Sequence, residues 1–187
     1  MTQIVRSKLV RDGYAKVHLL TLRESDGEEH QREVVAYGQA ACVLPYDPRR
    51  KVALVVRLPR APLLWSGETE PIIEAPAGMI DAGEDAETAA RREAMEEVGV
   101  ELRELESVAQ CWVSPGIVAE RTHLFLAAYG EIDIKSAGGG LAEEHEGIEV
   151  SEMPLRTLLE LCQNGVLHDL KTLTLVLALR LRHPALF

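Results

Sequence analysis

The stretch Gly78 to Val100, GMIDAGEDAETAARREAMEEVGV, constrains this chain more than any other. A glycine loop, Gly78 to Gly83, leads into a helical pattern that opens with Glu84 and Asp85 and is stopped by Gly99. Acids at the start of a helix complement its dipole, whereas Glu93, Glu96 and Glu97 stand near its negative end and oppose it. Three carboxylates within one turn repel one another unless something positive sits among them. On a wheel of 100° per residue, Ala86, Ala89, Ala90 and Ala94 form the core-facing stripe, and Glu93 and Glu97 continue it. Two carboxylates that point inward must be paired or bound to a cation. A cluster of hard oxygens suits Mg2+ or Mn2+ better than zinc. Arg92, on a different face, can hydrogen-bond carboxylates and hold their orientation.

Taken alone, E-x-x-E-E also describes a solvated, glutamate-rich helix. The match here is far longer: G-x5-E-x7-R-E-U-x-E-E-x-G-U, with U aliphatic, is met by Gly78, Glu84, Arg92, Glu93, Ala94, Glu96, Glu97, Gly99 and Val100. At roughly one chance in fifteen per fixed residue, the seven invariant letters coincide by accident on the order of once in 10^8 starts. The stretch resembles the Nudix box.

With 187 residues, 47% of them hydrophobic, the chain suits one domain with a sizeable core and a small N-terminal appendage. The net charge of -10 argues against nonspecific binding to nucleic acid or anionic membrane, so an anionic substrate needs local help from metal ions or specific arginines. Cys42, Cys111 and Cys162 show neither metal spacing nor a disulfide framework and read as buried thiols in a reducing compartment. The first residues hold no apolar run long enough for a signal peptide. Leu170 to Leu181 is broken by Lys171 and Arg180 and is too short to span a bilayer. A soluble cytoplasmic protein is expected.

Tyr14 to Leu22 and His30 to Ala36 are β-like runs around an Asp26-Gly27 turn, followed by Gln39 to Tyr46 and Val52 to Arg57 around Asp47-Pro48-Arg49-Arg50. Arg57-Leu58-Pro59-Arg60-Ala61-Pro62 reads either as a solvated loop or as one in which Arg60, and less directly Arg57, holds phosphate or stacks on a base. Pro71 to Ala75 is a short strand that delivers the glycine loop, where backbone carbonyls can add oxygen ligands. Glu104 to Val113 and Thr122 to Tyr129 read as buried strands. Lys135 to Leu141 reads as a flexible glycine-rich loop before the acidic segment Ala142 to Gly147, which is either a solvent loop or a mobile lid delivering carboxylates. Ile148 to Met153 is a further strand, Pro154 to Cys162 a helix stopped by Asn164-Gly165, and Leu170 to Arg182 a closing helix, core or dimer contact.

Beyond the box, the chain resembles the nucleoside-diphosphate-sugar pyrophosphatase branch of the Nudix hydrolases, the ADP-ribose and GDP-mannose enzymes. Ser114-Pro115-Gly116 is similar to the proline marker of the former. The segment Gly140 to Ile148 resembles their acidic loop, and Ala137 to Gly140 with Ile148 to Val150 resembles the GDP-mannose enzymes. The resemblance implies an α/β fold, an α/β/α sandwich on a mixed central sheet, with residues 1–38 a small antiparallel β-subdomain used in dimerisation and 39–187 the hydrolase domain. It implies Mg2+, two or three per site with Mn2+ as the alternative, on Glu93, Glu96, Glu97, Glu146 and the carbonyl of Ala77. Glu144 becomes the general base, with Glu96 and Arg92 beside it in the catalytic set. Substrate contacts fall on Tyr14, Arg32, Glu33, Arg57, Arg60, Gly78, Met79, Pro115, Glu120 and Lys171. The implied reaction cleaves a nucleoside diphosphate sugar to a nucleoside monophosphate and a sugar 1-phosphate. A hydrolase of nucleoside triphosphates or dinucleoside polyphosphates and a non-catalytic nucleotide sensor are the alternatives. Leu170-Lys171-Thr172 stands where the GDP-mannose enzymes have Gly-Lys-Thr, and the acidic loop is longer by two residues, which leaves base and sugar open.

Overall fold

The computed structural model describes residues 1–141 and 147–187. In chain order the elements are β1 (Gln3–Asp12), β2 (Lys16–Arg23), β3 (Glu29–Asp47), β4 (Val52–Leu58), α1 (Ala61–Trp65), β5 (Ile72–Glu74), β6 (Ala77–Met79), α2 (Ala86–Val98), β7 (Glu106–Trp112), β8 (Val118–Ala128), β9 (Glu149–Pro154), α3 (Leu155–Gln163) and α4 (Leu170–Arg182). By compactness they divide into two units, 1–39 with 110–122, and 40–109 with 123–187. The segment 110–122 thus falls with the N-terminal residues, whereas the sequence reading leaves it in the main domain.

The first unit is an antiparallel meander. β1 pairs with β2 from Gln3↔Arg23 to Asp12↔Lys16, and β2 pairs with β3 from Lys16↔Ala36 to Arg23↔Glu29. The turn between β2 and β3 is closed by Gly27, whose φ of 91° lies in the left-handed region, and by the Asp26 carboxylate, which accepts from the Glu28 N–H at 3.1 Å. Every residue of β1 is exposed, so the strand has no apolar face and no alternation that the sequence could reveal. The Ile117 carbonyl accepts from the Val35 N–H at 2.8 Å and ties the segment 110–122 to β3.

In the second unit the strands separate two cores, and strand alternation decides which side chain enters which. Ala41 and Val43 of β3, Leu54, Val56 and Leu58 of β4, and Phe125 and Ala127 of β8 pack with Ala89, Ala90, Ala94 and Val98 of α2. Their neighbours Cys42, Leu44, Tyr46, Ala53, Val55, Leu124 and Leu126 pack on the opposite face with Leu155 and Leu158 of α3 and Leu175, Val176 and Leu179 of α4. The result is helix on sheet on helix, an α/β fold in which β4 lies antiparallel between β5 and β9 and β6 pairs antiparallel with β3.

α2 begins at Asp85, whose carboxylate accepts from the Thr88 N–H at 2.7 Å, and ends at Gly99 with φ 71°. Its contact face is alanine, which lets the helix lie close to the sheet. α4 begins at Asp169, another side-chain cap. α1 was not expected: it has five residues, none buried, and carries Pro62 in its first turn. The cysteines also differ from expectation. Cys42 is buried and Cys162 half-buried, but Cys111 is exposed, because the end of β7 from Gln110 to Trp112 buries neither face. No helix among the described residues is long and apolar enough to cross a membrane.

Ala90 is fully buried at the α2–sheet contact, so Ala90→Leu forces two extra branches of side chain into filled space. The expected loss is about 1–3 kcal/mol, read as a lower midpoint in urea unfolding with little change in slope.

Candidate active site

The site is built where β6 runs against α2. Gly78 pairs with Ala41 of β3 and turns its missing side chain toward Glu93; a Cβ there would overlap the Glu93 carboxylate. Only glycine leaves room for that carboxylate between strand and helix. One residue earlier, the Ala77 N–H donates to Oε2 of Glu97 at 3.1 Å. Glu93 is 9% exposed and Glu97 4%, values far below those of solvated glutamates, whereas Glu96 is half-buried.

Arg92 organises the carboxylates. Its Nη1 donates to Glu93 at 2.6 Å and to Glu96 at 3.1 Å; Nε and Nη2 each donate to Glu84 at 3.1 Å; Nη2 also donates to the Met79 carbonyl at 3.0 Å. The five guanidinium N–H groups thereby reach two ends of the box and the β6 backbone at once. The Glu84 hydrogen bonds, ahead of those to Glu93, hold the Arg92 pKa above its ordinary value. Glu84 in turn is held below the ordinary carboxylate range, first by Arg92 and then by the Asp81 N–H. The charges of the three carboxylates outnumber that of the guanidinium they share. The last turn of α2 carries no basic residue to offset the dipole.

The glycine run after the box is docked, in contrast to the expected flexible loop. The Gly139 N–H donates to the Glu97 carbonyl at 2.8 Å and the Gly140 N–H to the Glu96 carbonyl at 3.0 Å, satisfying backbone acceptors at the end of α2. Gly138 has φ 68°, and a Cβ on it would overlap the Glu97 carbonyl.

The other candidate residues separate into two sets. In the second unit, Met79 joins the box through its carbonyl, and Arg57 is half-buried on β4 opposite Ile73 and Glu149. Arg60 grips the buried Glu74 with two hydrogen bonds, 2.8 and 3.1 Å, and Lys171 lies 3.4 Å from the same carboxylate and 2.6 Å from Asp169. Burial works to lower the Lys171 pKa, but Asp169 first, then Cys42 and Glu74, hold it above its ordinary value. In the first unit, Tyr14 is exposed with its ring edge-on to Tyr37 at 5.8 Å, and Arg32 and Glu33 are exposed on β3. Pro115 is exposed, and Glu120 is half-buried, accepting from the Thr122 hydroxyl at 3.2 Å. Glu144 and Glu146 lie outside the described residues. Glu74, Asp169 and Thr172 were missed by the sequence reading. A lone acid inside the apolar run Pro71-Ile72-Ile73-Glu74-Ala75 was the available signal, since a buried acid needs partners.

The comparisons with known proteins bear on this geometry. The family model described as the NUDIX domain matches residues 36–173, which include the whole of β6 and α2. The chain belongs to the Nudix family. It is 36% identical over 191 residues to the GDP-mannose pyrophosphatases of Escherichia coli O1:K1 and Shigella dysenteriae serotype 1, covering 98% of this chain and 98% of each relative. A crystal structure of an ADP compounds hydrolase superposes with a TM-score of 0.78 at 20% identity, covering 98% of this chain and 95% of that one, a likeness of fold. The Nudix chain is a hydrolase acting on pyrophosphate bonds.

Hydrolases of this family generally use divalent metals. The residues present fit such an ion. Glu93 and Glu97 are buried hard-oxygen donors on one helix face, and Gly78 gives the Glu93 carboxylate the room to lie against β6. Among the described residues no three acid, histidine or cysteine side chains converge as a metal cluster.

Glu84 gives a pH test. Because its folded pKa lies below its ordinary value of 4.5, its stabilisation is present above about pH 4.5 and is lost as pH falls through the folded value. Glu84→Gln should cost about 1 kcal/mol at pH 7. In urea unfolding repeated from pH 7 to pH 3, the gap between wild type and variant should close below pH 4.5.

Proposed function

We propose that this Nudix hydrolase uses Mg2+ to split the diphosphate bond of a nucleoside diphosphate sugar, giving a nucleoside monophosphate and a sugar 1-phosphate. The observation that carries the chemistry is the burial of Glu93 and Glu97 side by side against β6, with Arg92 holding Glu93 and Glu96 from outside. GDP-mannose is favoured over ADP-ribose because the relatives similar over nearly their whole length are named for it.

Within this reading Glu93 and Glu97, with Glu96 and the Ala77 carbonyl, hold the ions, and Glu146 completes the set. Bound there, divalent ions neutralise the diphosphate and lower the pKa of a water molecule. Arg92 keeps the carboxylates apart and aimed, and Gly78 and Met79 bring the β6 backbone to them. Glu144 takes the proton as water attacks phosphorus. Arg57, Arg60 and Lys171 supply positive charge for the substrate, and Glu74 holds the last two in place. Tyr14, Arg32, Glu33, Pro115 and Glu120 complete substrate recognition in a homodimer.

The dimer is supported by β1, an edge strand that leaves Ile4, Val5, Leu9 and Val10 exposed. Light scattering at micromolar concentration should give twice the mass of one chain, and a fully active monomer would contradict the assembly.

Two measurements test the chemistry. Glu97→Gln should keep its fold and lose more activity than the roughly 10–100-fold typical of groups outside the ligand shell; near-normal turnover would remove Glu97 from the metal set. A panel of diphosphate sugars, dinucleotides and nucleoside triphosphates with Mg2+ should give its highest kcat/KM with GDP-mannose. A triphosphate at the top would replace the substrate reading, and no turnover at all would leave a nucleotide sensor.

A further inference from the structure

α4 starts on the face of the sheet opposite α2, yet its first turn reaches Ala75, two residues ahead of the strand β6 that carries the active site. Asp169 caps the helix by accepting from the Thr172 N–H at 2.8 Å. The Thr172 hydroxyl donates its one proton to the same Asp169 oxygen at 2.6 Å and uses its lone pair to accept from the Ala75 N–H at 2.6 Å. Thr172 is fully buried and Ala75 nearly so, and thus water does not substitute for either partner. Lys171 lies against Asp169 and Glu74, so the residue before Ala75 is held by its side chain while Ala75 is held by its backbone.

From Ala75 the chain has little freedom before the site. Pro76 is buried, has a fixed φ, and offers its carbonyl to the Val43 N–H at 3.0 Å. The next residue is Ala77, whose N–H holds Glu97, and then Gly78, against which Glu93 is seated. A shift of Ala75 along or away from the sheet is therefore carried within three residues to the atoms that orient both buried carboxylates.

We propose that Thr172 is a positioning residue for the metal-binding carboxylates: its hydroxyl, locked by Asp169, fixes Ala75 and through it the distance of Ala77 and Gly78 from Glu97 and Glu93. The proposal rests on the reading of Glu93 and Glu97 as metal ligands and extends it to the far face of the sheet. It requires no contact between Thr172 and substrate, metal or reacting atoms.

Thr172→Val keeps the shape of the side chain and removes both hydrogen bonds; Thr172→Ser keeps the hydroxyl and removes a methyl group. The readout is Mn2+ binding to the full-length protein by calorimetry without substrate, followed by kcat and KM at saturating Mg2+. The valine variant should bind Mn2+ about tenfold more weakly, the low end of the loss expected for a group bonded directly to a ligand, because Thr172 acts through Ala75 and β6. Its KM for the nucleotide sugar should hold while kcat falls, and the serine variant should restore both affinity and kcat. Wild-type Mn2+ affinity in the valine variant overturns the proposal, as does a serine variant as defective as valine. If Thr172→Val fails to fold, Thr172→Ala is measured in the same way; failure of both to fold makes the hydroxyl a folding element and also overturns it. A wild-type protein that binds Mn2+ but turns over no diphosphate sugar sinks the substrate reading and leaves this test intact, whereas one that binds no Mn2+ sinks both.

Discussion

Everything at this site depends on one guanidinium. Glu84 ahead of α2 and Glu93 and Glu96 within it are drawn together although the helix dipole is unfavourable to the last two, and Arg92 is the counter-charge that lets them stay close. A lysine offers a point charge and cannot span Glu84, Glu93, Glu96 and the Met79 carbonyl together. The fork also joins helix to strand, because Met79 belongs to β6 and Glu84 precedes α2. The same contact that neutralises part of the charge ties the two elements together.

The helix lies close to the sheet because of what lines the contact. Ala89, Ala90 and Ala94 let α2 approach the sheet, and Gly78 lets Glu93 reach the strand without a clash. Larger residues at these positions would lift the helix and expose carboxylates that owe their orientation to burial. At the end of α2, the glycine run supplies N–H groups to the Glu96 and Glu97 carbonyls, so the turn that bears both side chains is also tied down by its backbone. On the other face of the sheet, α4 anchors Ala75 through Thr172. The carboxylate pair is thus held by strand, helix end and a helix on the opposite layer.

Local, periodic features were legible in the sequence. The α4 boundaries follow from its apolar run, the start and stop of α2 from its acidic opening and Gly99, and the inward direction of Glu93 and Glu97 from their place on the alanine stripe. What was not legible lacks periodicity or depends on distant partners. β1 buries no face and α1 is a single short turn, so neither produces a pattern. The partners of Glu74 stand at Arg60 and Lys171, on either side of it in the chain and far apart. The residues Gly138 to Gly140 read as loose because glycine permits looseness. Here the same permissiveness gives Gly138 its positive φ and close approach to α2.

The central claim is that the two buried carboxylates of α2 form the metal site. Crystals of the wild-type protein grown with Mn2+ and measured at the manganese absorption edge test it most directly. Anomalous density on the carboxylates of Glu93 and Glu97, with Arg92 still bound to Glu84, is the result expected. Density located elsewhere in an active protein, or Glu93 and Glu97 left without metal while Mn2+ supports turnover, would contradict it.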